Sequence, residues 1–228
     1  MYVVIVANAP SLRLDPYREM IASADLIIAA DGGANALAEA GIRPSLVIGD
    51  LNSLSAARLA SLAAHGVELR RFPREKDETD LELALLHAAA IGATRIDILG
   101  ALGGRWDHTF ANVAMLAMPE LQGRQVRLID EQQRLFLVRD QATLEGQRGD
   151  TLSLLPLTPT VRGITTRGLF YALDDATLYF ERARGVSNIL IDPPGFISLR
   201  EGLLLVVQHD DRGALQFAAS VDNGSAAG

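Results

Sequence analysis

The sequence predicts an α/β protein: a mostly parallel sheet with helices on both faces over residues 1–139, then a small antiparallel β-sandwich over 140–218 and a flexible tail over 219–228. Three observations carry that expectation. Up to residue 139, short apolar runs alternate with alanine- and leucine-rich amphipathic stretches, the mark of strand and helix in turn. The strand-like runs are continuously apolar, as a sheet covered on both faces requires. After Arg134–Val138 the helical period disappears, and short β-prone runs punctuated by Gly, Pro and Asp follow.

In chain order, strands are expected at Tyr2–Ala7, Leu26–Ala30, Leu46–Gly49, Val67–Phe72, Ile96–Gly100 and Val126–Ile129, with helices at Pro16–Ala22, Ala34–Ala40, Ala56–His65, Leu81–Ile91 and Thr109–Met118. Short connections make this a doubly wound, Rossmann-like order. The sandwich is expected from runs at Thr151–Leu155, Val161–Thr166, Phe170–Leu173, Thr177–Phe180, Asn188–Ile191, Phe196–Leu199, Leu203–Gln208 and Leu215–Ala218. The last ten residues, ASVDNGSAAG, bury too little apolar surface to offset their ordering entropy.

Composition narrows the chemistry. The 228 residues include 49% hydrophobic and no cysteine, and the formal charge is -7. Thiolate metal sites, disulfides and a Cys nucleophile are excluded, which leaves oxygen and nitrogen ligands. An acidic chain lacks a broad phosphate-neutralising face, so no nucleic acid partner is expected. No apolar run reaches the ~20 residues that span a bilayer, and the first residues lack a basic leader, so no membrane is expected and the location reads as cytoplasmic.

Ligands of open parallel sheets bind beyond the carboxyl ends of the strands. Four of those ends are polar or glycine-rich here: DGGAN (31–35), GDLNS (49–53), KDETD (76–80) and GALGGRWDH (100–108). They would bring Asp31, Asp50, Asp77, Asp80 and Asp107 to one crevice, where unneutralised carboxylates repel strongly. A hard cation such as Mg²⁺, held by one or two carboxylates and by substrate phosphates, answers that repulsion and implies a nucleotide-dependent enzyme. Taken singly, Asp31, Asp50 and Asp107 read as helix caps, and Thr79 with Glu82 fits a capping box. Capping does not explain the set, because helices need one cap each. The pairs Gly32-Gly33 and Gly103-Gly104 are either tight turns or a backbone cradle for phosphate. Lys76 is the only lysine. Its isolation reflects either a bias toward arginine or a place where a compact ammonium compensates phosphate charge.

In that order and at strand ends, the four blocks resemble the thiamine pyrophosphokinase family, and the resemblance extends to Gly185-Val186-Ser187-Asn188 in the β-half. The resemblance implies an α/β ATP-binding domain, a C-terminal β-sandwich, and transfer of a pyrophosphoryl group from ATP to the thiamine hydroxyl with release of AMP. It also implies a homodimer that holds thiamine between one subunit's α/β domain and the other's β-domain. By position it assigns Asp50, Asn52, Asp77 and Asp80 to Mg²⁺ and phosphate. Asp31, Gly32, Gly33, Asn35, Thr79, Gly104 and His108 fall to ATP, and Ser187 and Asn188 to thiamine. Lys76, Asp80, Arg105 and Asp107 fall to catalysis, with Asp80 or Asp107 as the base.

One position departs from the family pattern G-D-x-D-S: its second aspartate is Asn52 here. The loss of a formal charge keeps two alternatives open, a pyrophosphokinase for another heteroaromatic alcohol such as a hydroxymethylpterin, and a non-catalytic nucleotide or thiamine sensor. The β-half also lacks tryptophan, so Phe170, Tyr171 or Phe196 must supply any stacking surface for the acceptor.

Overall fold

A computed structural model of the chain describes residues 1–10 and 12–209. The expected strand at Leu215–Ala218 and the tail at 219–228 lie outside the described residues. Strands β1 (Tyr2–Val6), β2 (Leu26–Ala30), β3 (Leu46–Gly49), β4 (Glu68–Arg71), β5 (Arg95–Leu99) and β6 (Gln125–Ile129) are parallel to their neighbours, in the order β4-β3-β2-β1-β5-β6. The chain winds outward from β1 to β4, then returns past β1 to β5. That reversal opens a crevice between the ends of β1 and β5.

Side-chain alternation along each strand builds two helix-covered cores. Val4, Val6, Ala29 and Val47 face Tyr17 of a 3₁₀ turn (Asp15–Tyr17), Ile21 of α1 (Arg18–Ala22), Leu37 of α2 (Gly33–Glu39) and Leu62 of α3 (Ala56–Ala64). On the other face, Val3, Ile5, Ile28, Ile48 and Ile98 pack on Leu81, Ala84, Leu85 and Ala88 of α4 (Asp80–Ala90) and on Val113 and Met115 of α5 (Trp106–Met115).

An Asx turn reverses the chain after β6: Asp130 Oδ1 accepts from the backbone amides of Gln132 and Gln133 at 2.9 and 2.8 Å. Strand β7 (Gln133–Val138) therefore runs antiparallel to β6. The remaining strands are β8 (Gln141–Leu144), β9 (Thr151–Pro156), β10 (Thr160–Arg167), β11 (Ala176–Tyr179), β12 (Asn188–Ile189), β13 (Gly195–Ser198) and β14 (Leu204–His209). β14, β9 and β12 extend the large sheet beyond β7 to ten strands, and β11-β10-β13-β8 form a second, four-stranded sheet. Leu152, Leu154, Val161, Ile164, Ile197 and Val206 fill the space between these layers.

Most expected elements fall within a few residues of their observed ends. Two differ in kind. Phe170–Leu173 is not a strand, and Phe170 and Tyr171 are exposed with their rings edge to face at 4.9 Å. Strand β8 was not expected, because its residues Gln-Ala-Thr-Leu form a polar edge without an apolar run.

Candidate active site

The loops after the parallel strands share the carboxyl rim of the sheet. Asp31 leaves β2 with a left-handed backbone, φ 41°, and helix α2 is capped by Gly32. Helix α3 is capped by Ser55, whose side chain accepts from the Arg58 amide, so Asp50 has no capping role either. Thr79 does cap α4, accepting from the Glu82 amide at 3.1 Å, and Asp80 is the first residue of that helix.

One carboxylate oxygen from each of Asp31, Asp50 and Asp80 lies within 4.8 Å of the others. Asp31 is 7% exposed, and its Oδ1 is buried without a hydrogen-bond partner. Lys76 Nζ lies 2.9 Å from Asp80 Oδ1, with the lysine side chain only 12% exposed. Three carboxylates, one compact ammonium and one orphaned buried oxygen describe a site with unspent attraction for a cation. An all-oxygen donor set of this kind fits Mg²⁺.

The backbone makes the cluster possible at Gly49. A Cβ there would stand 2.8 Å from Cγ and Oδ1 of Asp80 and 3.1 Å from Cβ of Asp31, and φ is 145°. Gly49→Ala is therefore expected to destabilise the fold by roughly 1–3 kcal/mol and to lower turnover at least about tenfold by spreading the carboxylates. Thermal unfolding together with an AMP-release assay checks this; unchanged turnover would show that the cluster tolerates widening.

Asn52 acts through Asp50. Its backbone amide donates to Asp50 Oδ1 at 3.0 Å and its side-chain amide to Oδ2 at 2.7 Å, an arrangement set by the left-handed Leu51 (φ 61°) between them. Asn35 Nδ2 donates to the Ser53 carbonyl at 3.1 Å and so ties α2 to this loop. Asp77 is exposed and stands outside the gathered group.

Gly33 lets α2 begin against β1, since a Cβ there would fall 2.0 Å from the Val6 carbonyl oxygen. A Cβ on Gly32 would meet the side chain of Asn8, 2.4 Å away. Asn8 follows β1 at the crevice and was absent from the expected set; its signal was a polar residue directly after the run Tyr2–Ala7.

Across the crevice, Gly104, Arg105, Trp106, Asp107 and His108 are exposed. Arg105 Nε donates to Asp107 Oδ1 at 3.1 Å and the His108 amide to the same oxygen at 3.0 Å. The Arg105 hydrogen bond, first among the causes, holds the Asp107 carboxyl down to about 2. Asp107 thus shares the rim without joining the triad.

In the β-half, Asn188 is buried and braces the aromatic turn. Its Oδ1 accepts from the Tyr171 amide at 3.0 Å, and its Nδ2 donates to the Tyr171 carbonyl at 2.9 Å. Ser187 is exposed, with φ 59°.

A doubly wound sheet with an acidic, all-oxygen cluster at its ligand-binding rim defines the class: a nucleotide-dependent transferase. Comparison with known proteins agrees. Residues 17–128 match the family model described as the thiamin pyrophosphokinase catalytic domain, and residues 141–204 match its vitamin B1 binding domain. The thiamine pyrophosphokinase of Bacillus subtilis (strain 168) is 28% identical over 209 residues, covering 91% of this chain and 98% of that one. The crystal structure of thiamin pyrophosphokinase from Geobacillus thermodenitrificans superposes with a TM-score of 0.80 at 31% identity, covering 94% of this chain and all (100%) of that one. A B. subtilis crystal structure gives a TM-score of 0.83 at 27% identity over 92% of this chain and 100% of that one. The chain belongs to the thiamin pyrophosphokinase family and is an ATP-dependent diphosphotransferase.

Proposed function

We propose that this chain transfers the pyrophosphoryl group of ATP to the hydroxyl of thiamine, giving thiamine diphosphate and AMP. The observation that carries the reading is the Asp31–Asp50–Asp80 cluster with its orphaned buried oxygen, set on the ligand-binding rim. Residues 1–139 are the ATP and metal half, and 140–218 the acceptor-binding and dimerisation half.

Attack of an alcohol on the β-phosphorus builds charge on bridging and non-bridging oxygens, so catalysis is mainly positioning and electrostatic stabilisation. Asp31, Asp50 and Asp80 would hold Mg²⁺, with Asn52 orienting Asp50 and Asp77 on the lip beside them. When bound, the ion would neutralise phosphate oxygens. Lys76 and Arg105 supply the protein's own cations toward the phosphates. Gly32, Gly33, Asn35, Thr79, Gly104 and His108 shape the nucleotide crevice, and Asn8 joins them. The Arg105 hydrogen bond holds the Asp107 carboxyl down to about 2, which makes Asp107 a poor proton acceptor.

For the acceptor, the exposed Phe170–Tyr171 pair offers an aromatic surface that Asn188 holds in place, and Ser187 directly precedes Asn188 in the chain. Phe196 is half-buried in β13 and suits stacking less well. Trp106, Phe110, Tyr179, Phe180 and Val186 are exposed as well, apolar area in keeping with a homodimer. The net charge of -7 speaks against nucleic acid. Among the described residues no helix is long and apolar enough to cross a membrane, and the cysteine-free composition fits the cytoplasm.

Incubation with ATP, Mg²⁺ and thiamine, followed by assay of AMP and thiamine diphosphate, tests the proposal. Product that requires all three supports it. AMP formed only with a hydroxymethylpterin, or ligand binding without AMP, would replace it with one of the alternatives.

Asn52→Asp exchanges a donor to Asp50 for another carboxylate. Apparent Mg²⁺ affinity is expected to tighten about tenfold through the added charge, while the melting temperature of the metal-stripped protein falls. Mg²⁺ dependence of the initial rate and melts in chelator read the two effects; if neither moves, position 52 lies outside the electrostatic reach of the site.

A further inference from the structure

A cavity of about 740 Å³ opens at the other end of the parallel sheet, where Tyr2, Arg95 and Gln125 begin β1, β5 and β6 and where β8 of the second sheet closes one wall. A five-residue strand spans roughly 16 Å, so an occupant of this cavity does not reach the carboxylate triad. Five arginines line it, Arg95, Arg124, Arg127, Arg134 and Arg139, in a chain whose net charge is -7.

Hydrogen-bond accounting sorts these donors: Arg124 is engaged by the carbonyls of Glu120, Ala93 and Ala89, and Arg134 by Gln208 Oε1 and the Glu145 carbonyl, whereas Arg95 and Arg139 keep donors to spare. Asp97, fully buried on β5, accepts from Tyr2 Oη at 2.7 Å, from Arg95 Nη2 at 3.1 Å, and from Arg127 Nε and Nη2 at 2.6 and 2.7 Å. Those bonds use the roughly four lone-pair positions a carboxylate has, whereas each guanidinium carries about five donors. Arg95 Nε is buried without a hydrogen-bond partner. Arg139 reaches the carbonyls of Leu116 and Met118 only at 3.4 Å. Of the acids that line the cavity, Asp25 and Asp140 accept from the backbone amides of Tyr2 and Gln141, and Glu145 is the third. Leu121, Phe136 and Leu137 add apolar wall. Planar donors above apolar wall suit an oxyanion joined to an organic body.

We propose that this cavity is a second ligand site, distinct from the crevice that holds ATP, and that it binds a small phosphate-bearing organic anion. Titration of metal-stripped protein with inorganic pyrophosphate and with AMP tests it, because without metal the acidic rim repels anions. Saturable binding of one equivalent is expected, with AMP binding more tightly than pyrophosphate if the apolar wall contributes. Arg139→Gln is expected to weaken both about tenfold, the worth of a charge-assisted hydrogen bond, and Arg139→Lys to restore part of the loss. Arg105→Gln on the opposite rim should change the dissociation constants less than about twofold, and unchanged ligand-free melting curves exclude misfolding of the Arg139 variants. Absence of saturable binding would overturn the proposal, as would binding that Arg105→Gln removes and Arg139→Gln leaves intact.

Discussion

Asp31→Asn is expected to lower turnover by about 10²–10³-fold, the range seen when one electrostatic contributor to a transition state is removed. Asn tolerates the left-handed backbone that Asp31 adopts, so the exchange is sterically conservative and the loss reports charge rather than shape. Removing one of three adjacent carboxylates also relieves repulsion in the metal-free protein. The variant should therefore melt at a higher temperature than wild type in chelator, and gain less from added Mg²⁺. An AMP-release assay and paired melts with and without Mg²⁺ measure both halves. Turnover within tenfold of wild type would remove the triad from the mechanism. Lost turnover with unaltered Mg²⁺ stabilisation would make Asp31 a nucleotide contact and leave the ion elsewhere.

The site was legible to the extent that strand ends were legible. Continuous apolar runs marked β1, β2, β3, β5 and β6, and parallel order then places Asp31, Asp50, Asp80 and Asp107 on one rim whatever the side chains do. What the pattern could not reveal is direction within a loop. The left-handed turn at Leu51 points the Asn52 amide at Asp50, and the start of α4 at Asp80 carries that carboxylate inward while Asp77 remains exposed. The family resemblance set Asp77 beside Asp80 and Asp31 with the nucleotide, whereas strand ends alone grouped all of these aspartates in one crevice. Asn8 was missed because one polar residue after a strand is a weak signal without its neighbour Gly32 in view. In the β-half, Phe170 and Tyr171 read as strand from residue type, yet Asn188 holds them in an exposed turn. Aromatic content predicts a strand only where a neighbouring layer buries the rings.

The second large effect concerns stability. Arg127→Met is expected to destabilise the protein by about 3–5 kcal/mol, because removing one partner leaves a buried carboxylate short of compensation; the remaining Arg95 bond favours the lower end. Asp97 has no exposed side-chain surface, and the Arg127 side chain is 19% exposed, so solvent screens their pairing little. Burial alone would raise the Asp97 carboxyl above its ordinary value. The hydrogen bonds and charge of Arg127, with help from Arg95 and Tyr2, outweigh burial and hold it low. A carboxyl whose folded pKa is depressed contributes stability above its unfolded pKa, near 3.9, and loses that contribution as pH falls through the folded value. The gap between wild type and Arg127→Met should accordingly be widest near neutral pH, roughly 6–12 °C in melting temperature for the lower figure, and should close below about pH 4. Melts from pH 7 to pH 3 measure it. A gap that stays constant across that range would mean that Arg127 stabilises β5 against β6 by packing its stem and not by holding the charge on Asp97.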